Sequence, residues 1–164
     1  MPTDWRSEAR ALALQCLTQL DVQGDGLLCE VPAFIAESEA SSQTKTLASE
    51  LAHGTWKCRQ ICDDWIAQTV KHWQLQRIAL VDRAILRLAV AELLDRPDVP
   101  VKVILDQAIE LAKKFSTAES PHFINGVLDA IVKGMPHRAV YLSEGRRDAK
   151  PEGEAPPDKE EVNP

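Results

Sequence analysis

Ser120-Pro121-His122-Phe123-Ile124-Asn125-Gly126-Val127-Leu128-Asp129-Ala130-Ile131 (SPHFINGVLDAI) carries Asn-Gly between apolar residues, a pattern typical of a β-hairpin turn. A hairpin needs a strand on each side. Between Pro121 and Asn125 there is room only for His122, Phe123 and Ile124. Ser120 instead suits a helix N-cap, and Pro121 the first helical position. Ile124, Val127, Leu128 and Ile131 then recur at helical spacing, and Gly134 and Pro136 supply a stop. The stretch therefore predicts a helix. Gly126 inside it costs about 1 kcal/mol relative to alanine, which predicts close approach of another backbone there. Asn125 then lies on the rim of that contact, able to cap a neighbouring helix or to touch a ligand.

The same periodicity extends outward in both directions. From Asp4 to Leu20 the set Ala9, Leu12, Ala13, Cys16, Leu17 and Leu20 shares one face, and Gly24-Asp25-Gly26 ends it. Val31–Glu37 suits a short helix with Pro32 near its start. A long helical pattern covers about Thr44–Trp73 and includes Leu47, Leu51, Cys58, Ile61, Cys62 and Ile66, with a bend expected at Gly54. Ile78–Leu94 and Val101–Phe115 complete the set, divided by Pro97 and Pro100, with Phe115 on the apolar side of its helix. The expectation is an all-α, compact bundle of about six to seven helices over residues 1–143.

Charge and composition narrow the functional classes. The 164 residues carry a net charge of −6, with 45% hydrophobic and 27% charged residues, ordinary values for a globular protein. Seven acidic and four basic residues between 144 and 164 contribute −3 of that charge. This Pro-rich segment reads as a disordered acidic tail. The remainder is only mildly acidic, which excludes a polycation gripping nucleic acid by net charge alone. The longest run free of charged residues, Ala11–Leu20, is about half of what a membrane span needs, and the N-terminus lacks a signal-peptide core. A cytoplasmic location with no membrane partner is expected, with Cys16, Cys29, Cys58 and Cys62 as reduced thiols.

Two stretches carry a family resemblance. Asp82-Arg83-Ala84-Ile85-Leu86-Arg87-Leu88-Ala89-Val90-Ala91-Glu92-Leu93-Leu94 precedes Val99-Pro100 and Ala108-Ile109-Glu110-Leu111-Ala112-Lys113-Lys114-Phe115, and then comes Phe123-Ile124-Asn125-Gly126-Val127-Leu128-Asp129. In that order and spacing the chain resembles the NusB family of transcription antitermination factors. Arg6, Ala9-Arg10, Ala13-Leu14-Gln15 and Leu51-Ala52-His53-Gly54 add to the likeness, which spans roughly residues 6–133.

The resemblance implies two helical subdomains, about 1–75 and 76–135, and an RNA–protein adaptor without catalysis or cofactor. It pairs with the ribosomal protein NusE, binds the boxA RNA of nascent ribosomal RNA transcripts, and joins an RNA polymerase complex resistant to termination. Carried over position by position, it implies RNA contacts at Arg6, Arg10, Glu119, His122, Phe123 and Asn125, and partner contacts at Thr18 and Asp82. Guanidinium–phosphate contacts and bases stacked on aromatic rings are how single-stranded RNA is held. For Phe123, a core ring packed one turn from Val127 is an equal alternative; for Arg6 and Arg10 the alternative is a solvated face, and for Asp82 a helix-dipole carboxylate. The sequence departs from the family in lacking consecutive arginines before the first helix. Thr18 stands where an aromatic is common, and His122 where a lysine is. These departures predict RNA binding that leans on the partner. Some relatives self-associate through the RNA-binding surface, so a homodimer stays open.

Other chemistry has weaker support. Cys58 and Cys62 at i and i+4, with His53 and His72 distant, suit core thiols better than a zinc site. Trp56, Trp65 and Trp73 read as core or interface anchors. The sequence contains no Gly-rich phosphate loop, nucleophile elbow or HExxH. Asp106 and Glu110, followed by Lys113 and Lys114, suit a salt-bridged solvent face. NusB-like domains also occur fused to RNA cytosine methyltransferases, so a module serving a separate methyltransferase subunit is the alternative function.

Overall fold

The computed structural model describes residues 4–136, with His72 and Trp73 described through their backbone alone. The acidic segment expected at 144–164 lies outside these residues. Among the described residues the architecture is all α-helical: eight α-helical segments, the fifth a single turn, and one 3-10 stretch.

Helix α1 (Trp5–Gln23) buries Ala9, Leu12, Ala13, Cys16, Leu17 and Leu20 along one stripe. Gly24 ends it at φ +82, and its N–H donates to the Leu20 carbonyl at 2.6 Å. That left-handed backbone favours a residue without a Cβ. A 3-10 stretch at Asp25–Glu30 leads into α2 (Val31–Glu37), with Pro32 in its first turn. Helix α3 (Ser42–Lys57) is capped by Ser41, whose hydroxyl accepts from the Thr44 N–H at 3.2 Å.

The long pattern expected over Thr44–Trp73 is interrupted at Cys58 rather than Gly54. Cys58 departs from helical geometry at φ −103 and ψ 19, and α4 (Arg59–Val70) begins after it. Gly54 stays helical with open space where a Cβ would lie. Lys71 then adopts φ +74, the only positive φ of a non-glycine residue among those described, a conformation that stores about 1–3 kcal/mol. It turns the chain into α5 (His72–Leu75).

Helix α6 (Leu80–Asp95) is the centre of the molecule. It buries residues on nearly every side and packs on α1, α3, α4, α7 (Val101–Phe115) and α8 (Ser120–Lys133). Helices α7 and α8 pair with each other. One continuous hydrophobic core runs from Ala9 in α1 to Met135 beyond α8, so residues on both sides of the Gln74–Arg77 junction share it.

In α8 the stripe Ile124, Val127, Leu128 and Ile131 is buried as the spacing requires. The helix starts one residue earlier than expected. Ser120 is its first residue and Glu119 the cap position, because the Ser120 hydroxyl is drawn inward to Asp82 rather than onto its own helix. The expected close packing at Gly126 is not present: no atom lies within 4 Å of its Cβ position. Asn125 is exposed beside it and caps no helix among the described residues. Two residues assigned to apolar faces also emerge at the surface, Ile61 at 53% exposure and Phe115 at 37%. Ile61 lies opposite the buried face formed by Cys62, Ile66 and Val70. Phe115 is the last residue of α7, past the turn that packs on α8.

No helix among the described residues is long and apolar enough to cross a membrane. Cys62 is buried and Cys58 half-buried, with their sulfurs 3.7 Å apart, and burial pushes both thiols up from the ordinary cysteine pKa. Burial of Cys16 raises its thiol to about 11. Trp56 anchors the 3-10 stretch by donating its indole N–H to Asp25 at 2.7 Å. Trp65 is partly buried against the core.

Candidate nucleic-acid interface

The start of α1 lies against α7, and a short turn carries the end of α7 into the start of α8. The Ser7 hydroxyl donates to Gln107 at 2.7 Å and ties α1 to α7. Ser7 and Ala11 share an open groove of about 340 Å³ with Lys113 and Lys114. The turn from Ser116 to Glu119 then carries the chain into α8.

Asp82 organises that turn. It is only 8% exposed, and its carboxylate accepts from the Ser116 hydroxyl at 2.5 Å and the Ser120 hydroxyl at 2.9 Å. Ser120 is also within 2.9 Å of the Ser116 and Thr117 hydroxyls. Charge-assisted hydrogen bonds of this kind are about twice as strong as neutral ones. Asp82 is thus committed inward, where it joins the first turn of α6 to the α7–α8 connection. Its carboxylate is held by two hydroxyls at the position where the resemblance implies a partner contact, and Asp82 also lines the groove that Phe123 edges.

Arg10 is also turned inward. It is 4% exposed and forms a two-pronged pair with Glu92, with Nε and Nη2 each 2.8 Å from a carboxylate oxygen. It therefore does not lie on the solvated face that its i, i+4 spacing from Arg6 suggests. The pair staples α1 to α6 instead. Arg6 is exposed, with its guanidinium 4.4 Å from the centre of the Trp5 ring and 3.9 Å from Asp4.

The start of α8 presents the remaining candidates together. Glu119, His122, Phe123 and Asn125 are all exposed. Phe123 is 37% exposed, which removes the core alternative for its ring. It edges a groove of about 380 Å³ formed with Val70, Gln74, Arg77 and Ile78. Phe115 is equally exposed at the other side of the Ser116–Glu119 turn. Lys113, Lys114 and Phe115 were not among the expected contacts. Their tandem basic–aromatic arrangement is visible in the sequence, but helical periodicity assigned the ring to the core. Thr18 is half-buried on α1, and its hydroxyl donates to the Gln15 carbonyl at 2.9 Å.

Exposed phenyl rings beside lysines and an arginine suit single-stranded nucleic acid, whose bases stack while cations meet phosphates. No group of three or more His, Cys, Asp or Glu side chains among the described residues is arranged to hold a metal ion. Fold and edge together define a class: compact all-α proteins that present a basic, aromatic edge built from helix ends. The NusB family model matches residues 7–133, and the chain belongs to the NusB family. It is 41% identical over 138 residues to the transcription antitermination protein NusB of Symbiobacterium thermophilum, covering 79% of this chain and 90% of that one. It is 43% identical over 135 residues to the protein of the same name from Anaeromyxobacter dehalogenans, covering 82% and 94%. Among solved structures, T. maritima NusB superposes with a TM-score of 0.68 at 34% identity, covering 81% of this chain and 93% of that one. A chain from the complex of antitermination factors NusB and NusE with double-stranded RNA gives 0.69 at 26% identity, covering 79% and 97%.

Proposed function

We propose that this chain is a transcription antitermination factor that pairs with NusE and binds the boxA RNA of nascent ribosomal RNA transcripts. Its work is adaptor work in the cytoplasm, holding RNA and partner in the RNA polymerase antitermination complex without chemistry of its own. The observation that carries the reading is the exposed ring of Phe123 at the first turn of α8, beside His122 and Asn125 and along the edge from Lys113, Lys114 and Phe115. The relative whose complex contains both NusE and RNA supports the choice of partners. In this reading a base stacks on Phe123, phosphates meet Arg6 and the two lysines, and Glu119 and Asn125 meet base edges. Thr18 lies on the partner side of α1. Arg10 and Asp82 hold the frame.

A gel shift with boxA RNA tests the proposal, using this protein alone, NusE alone and the pair across a salt series. The pair binds more tightly than either component, with affinity falling as salt rises. Phe123→Ala keeps NusE pairing and the thermal midpoint but weakens RNA by about 1–3 kcal/mol, the usual loss for one stacked base. Binding by the pair no tighter than by its components would end the adaptor reading.

A further inference from the structure

On a part of the bundle formed by α3, the end of α6 and the loop after it lies a cavity of about 200 Å³ that the RNA reading does not use. Its wall includes Glu50, Gly54, Thr55, Glu92, Asp95 and Asp98. Thr55 is 1% exposed and its hydroxyl has no hydrogen-bond partner among the described residues. A buried hydroxyl in that state destabilises the fold unless something answers it. Gly54, one residue before it, has open space where a side chain would begin.

Charge gives the cavity its preference. Of its four carboxylates, Glu92 is answered from the core by Arg10 at 2.8 Å, and Glu50 by Arg96 at 3.1 Å. Asp95 and Asp98 are exposed and have no ion pair among the described residues. Asp95 is the last residue of α6, whose final turn holds no base. It thus adds negative charge at the carbonyl end of a helix, where a cation is favoured. The acids do not converge as metal ligands do. Arg96 against Glu50 shows that a guanidinium fits this rim.

We propose that the cavity is a subsite for one compact organic cation, a guanidinium or primary ammonium group. The cation pairs with Asp95 and Asp98, and a donor N–H reaches the Thr55 hydroxyl. Such a group arrives on the arginine or lysine of a second protein, or as a free polyamine. Titration of the full ¹⁵N-labelled chain with acetyl-Gly-Arg-Gly-amide, and separately with spermidine, tests the site. Saturable shifts are expected in the amide signals of Gly54, Thr55 and Asp98. Tighter binding of the peptide points to a protein partner, and tighter binding of spermidine to a free polyamine; either supports the subsite. In the Asp95→Asn, Asp98→Asn double variant, whose altered side chains are exposed, affinity falls about tenfold, equivalent to about 1.4 kcal/mol. Thr55→Val weakens binding several-fold without changing charge. Absence of saturable shifts with both probes, or undiminished affinity in the double aspartate variant, overturns the proposal and leaves the cavity to water.

Discussion

Gly126 stands on the outer face of α8 with nothing within 4 Å of the position a Cβ would occupy. A mid-helix glycine gives up about 1 kcal/mol relative to alanine, and here no neighbour among the described residues requires it. Gly126→Ala is therefore expected to raise stability by up to about 1 kcal/mol, or about 2–4 °C in Tm for a chain of this size. Thermal denaturation of the full chain checks this, and a lower Tm would mean that the face is not open. Measured beside it, RNA affinity distinguishes two causes. If the alanine protein is more stable yet binds less RNA, the glycine serves the ligand. Arg10 makes the opposite point at the same scale. Spacing from Arg6 suggests a shared outer face, but Glu92, 82 residues further on, draws the guanidinium into the core. No local pattern along α1 contains that information.

Helix α8 begins where it does because Asp82 of α6 holds Ser116 and Ser120 together. Removing the carboxylate releases two hydroxyls that anchor the turn before Phe123. Asp82→Ala is expected to lower stability by about 2–3 kcal/mol, the scale of hydrogen bonds to a charged group. RNA affinity is expected to fall further than global unfolding explains, since the first turn of α8 loses its register. Denaturant unfolding, paired with gel shifts at a temperature where the variant is fully folded, separates the two effects. Unchanged unfolding would show that the Ser116–Ser120 cluster is self-sufficient. At this scale the sequence was a good guide to existence and a poorer one to ends. The apolar stripes of α1, α7 and α8 are the buried faces of those helices. The break at Cys58 was illegible because no strong breaker marks it, while Gly54, which looks like a breaker, is an ordinary helical residue. Phe115 was misassigned because periodicity records spacing and cannot tell that a helix has run past its neighbour. The basic and aromatic edge came partly into view through family resemblance, whereas its geometry depends on a connection between α6 and α8 that no spacing rule encodes.

The whole molecule is tied together by charges as well as by its core. Asp21 of α1 meets Arg83 at 2.9 Å and Arg87 at 3.1 Å on α6, and Arg87 continues to Asp63 of α4 through two bonds of 2.8 Å. Burial alone would raise the Asp21 carboxyl pKa, but bonding to Arg83 and the nearby charges of Arg87 and Arg83 outweigh it and hold the value below the usual range. The same pairing raises Arg87 against the opposing effect of its burial. Because the folded Asp21 pKa lies below the unfolded one, its ionised form stabilises the fold fully above the unfolded value of about 3.9. That contribution is lost as pH falls through the lower folded value. Asp21→Asn leaves Arg83 and Arg87 short of a partner, so at pH 7 it is expected to cost about 3 kcal/mol, the scale of breaking one partner out of a buried pair. The difference from the native chain shrinks as both are acidified and closes once native Asp21 is itself protonated. Urea unfolding across pH 2–7 measures it. A gap that persists undiminished at the acid end would mean that the asparagine disturbs packing rather than charge. A gap that closes identifies the Asp21–Arg87–Asp63 chain as the electrostatic clamp between α1, α4 and α6, of which α4 and α6 pack directly on α8.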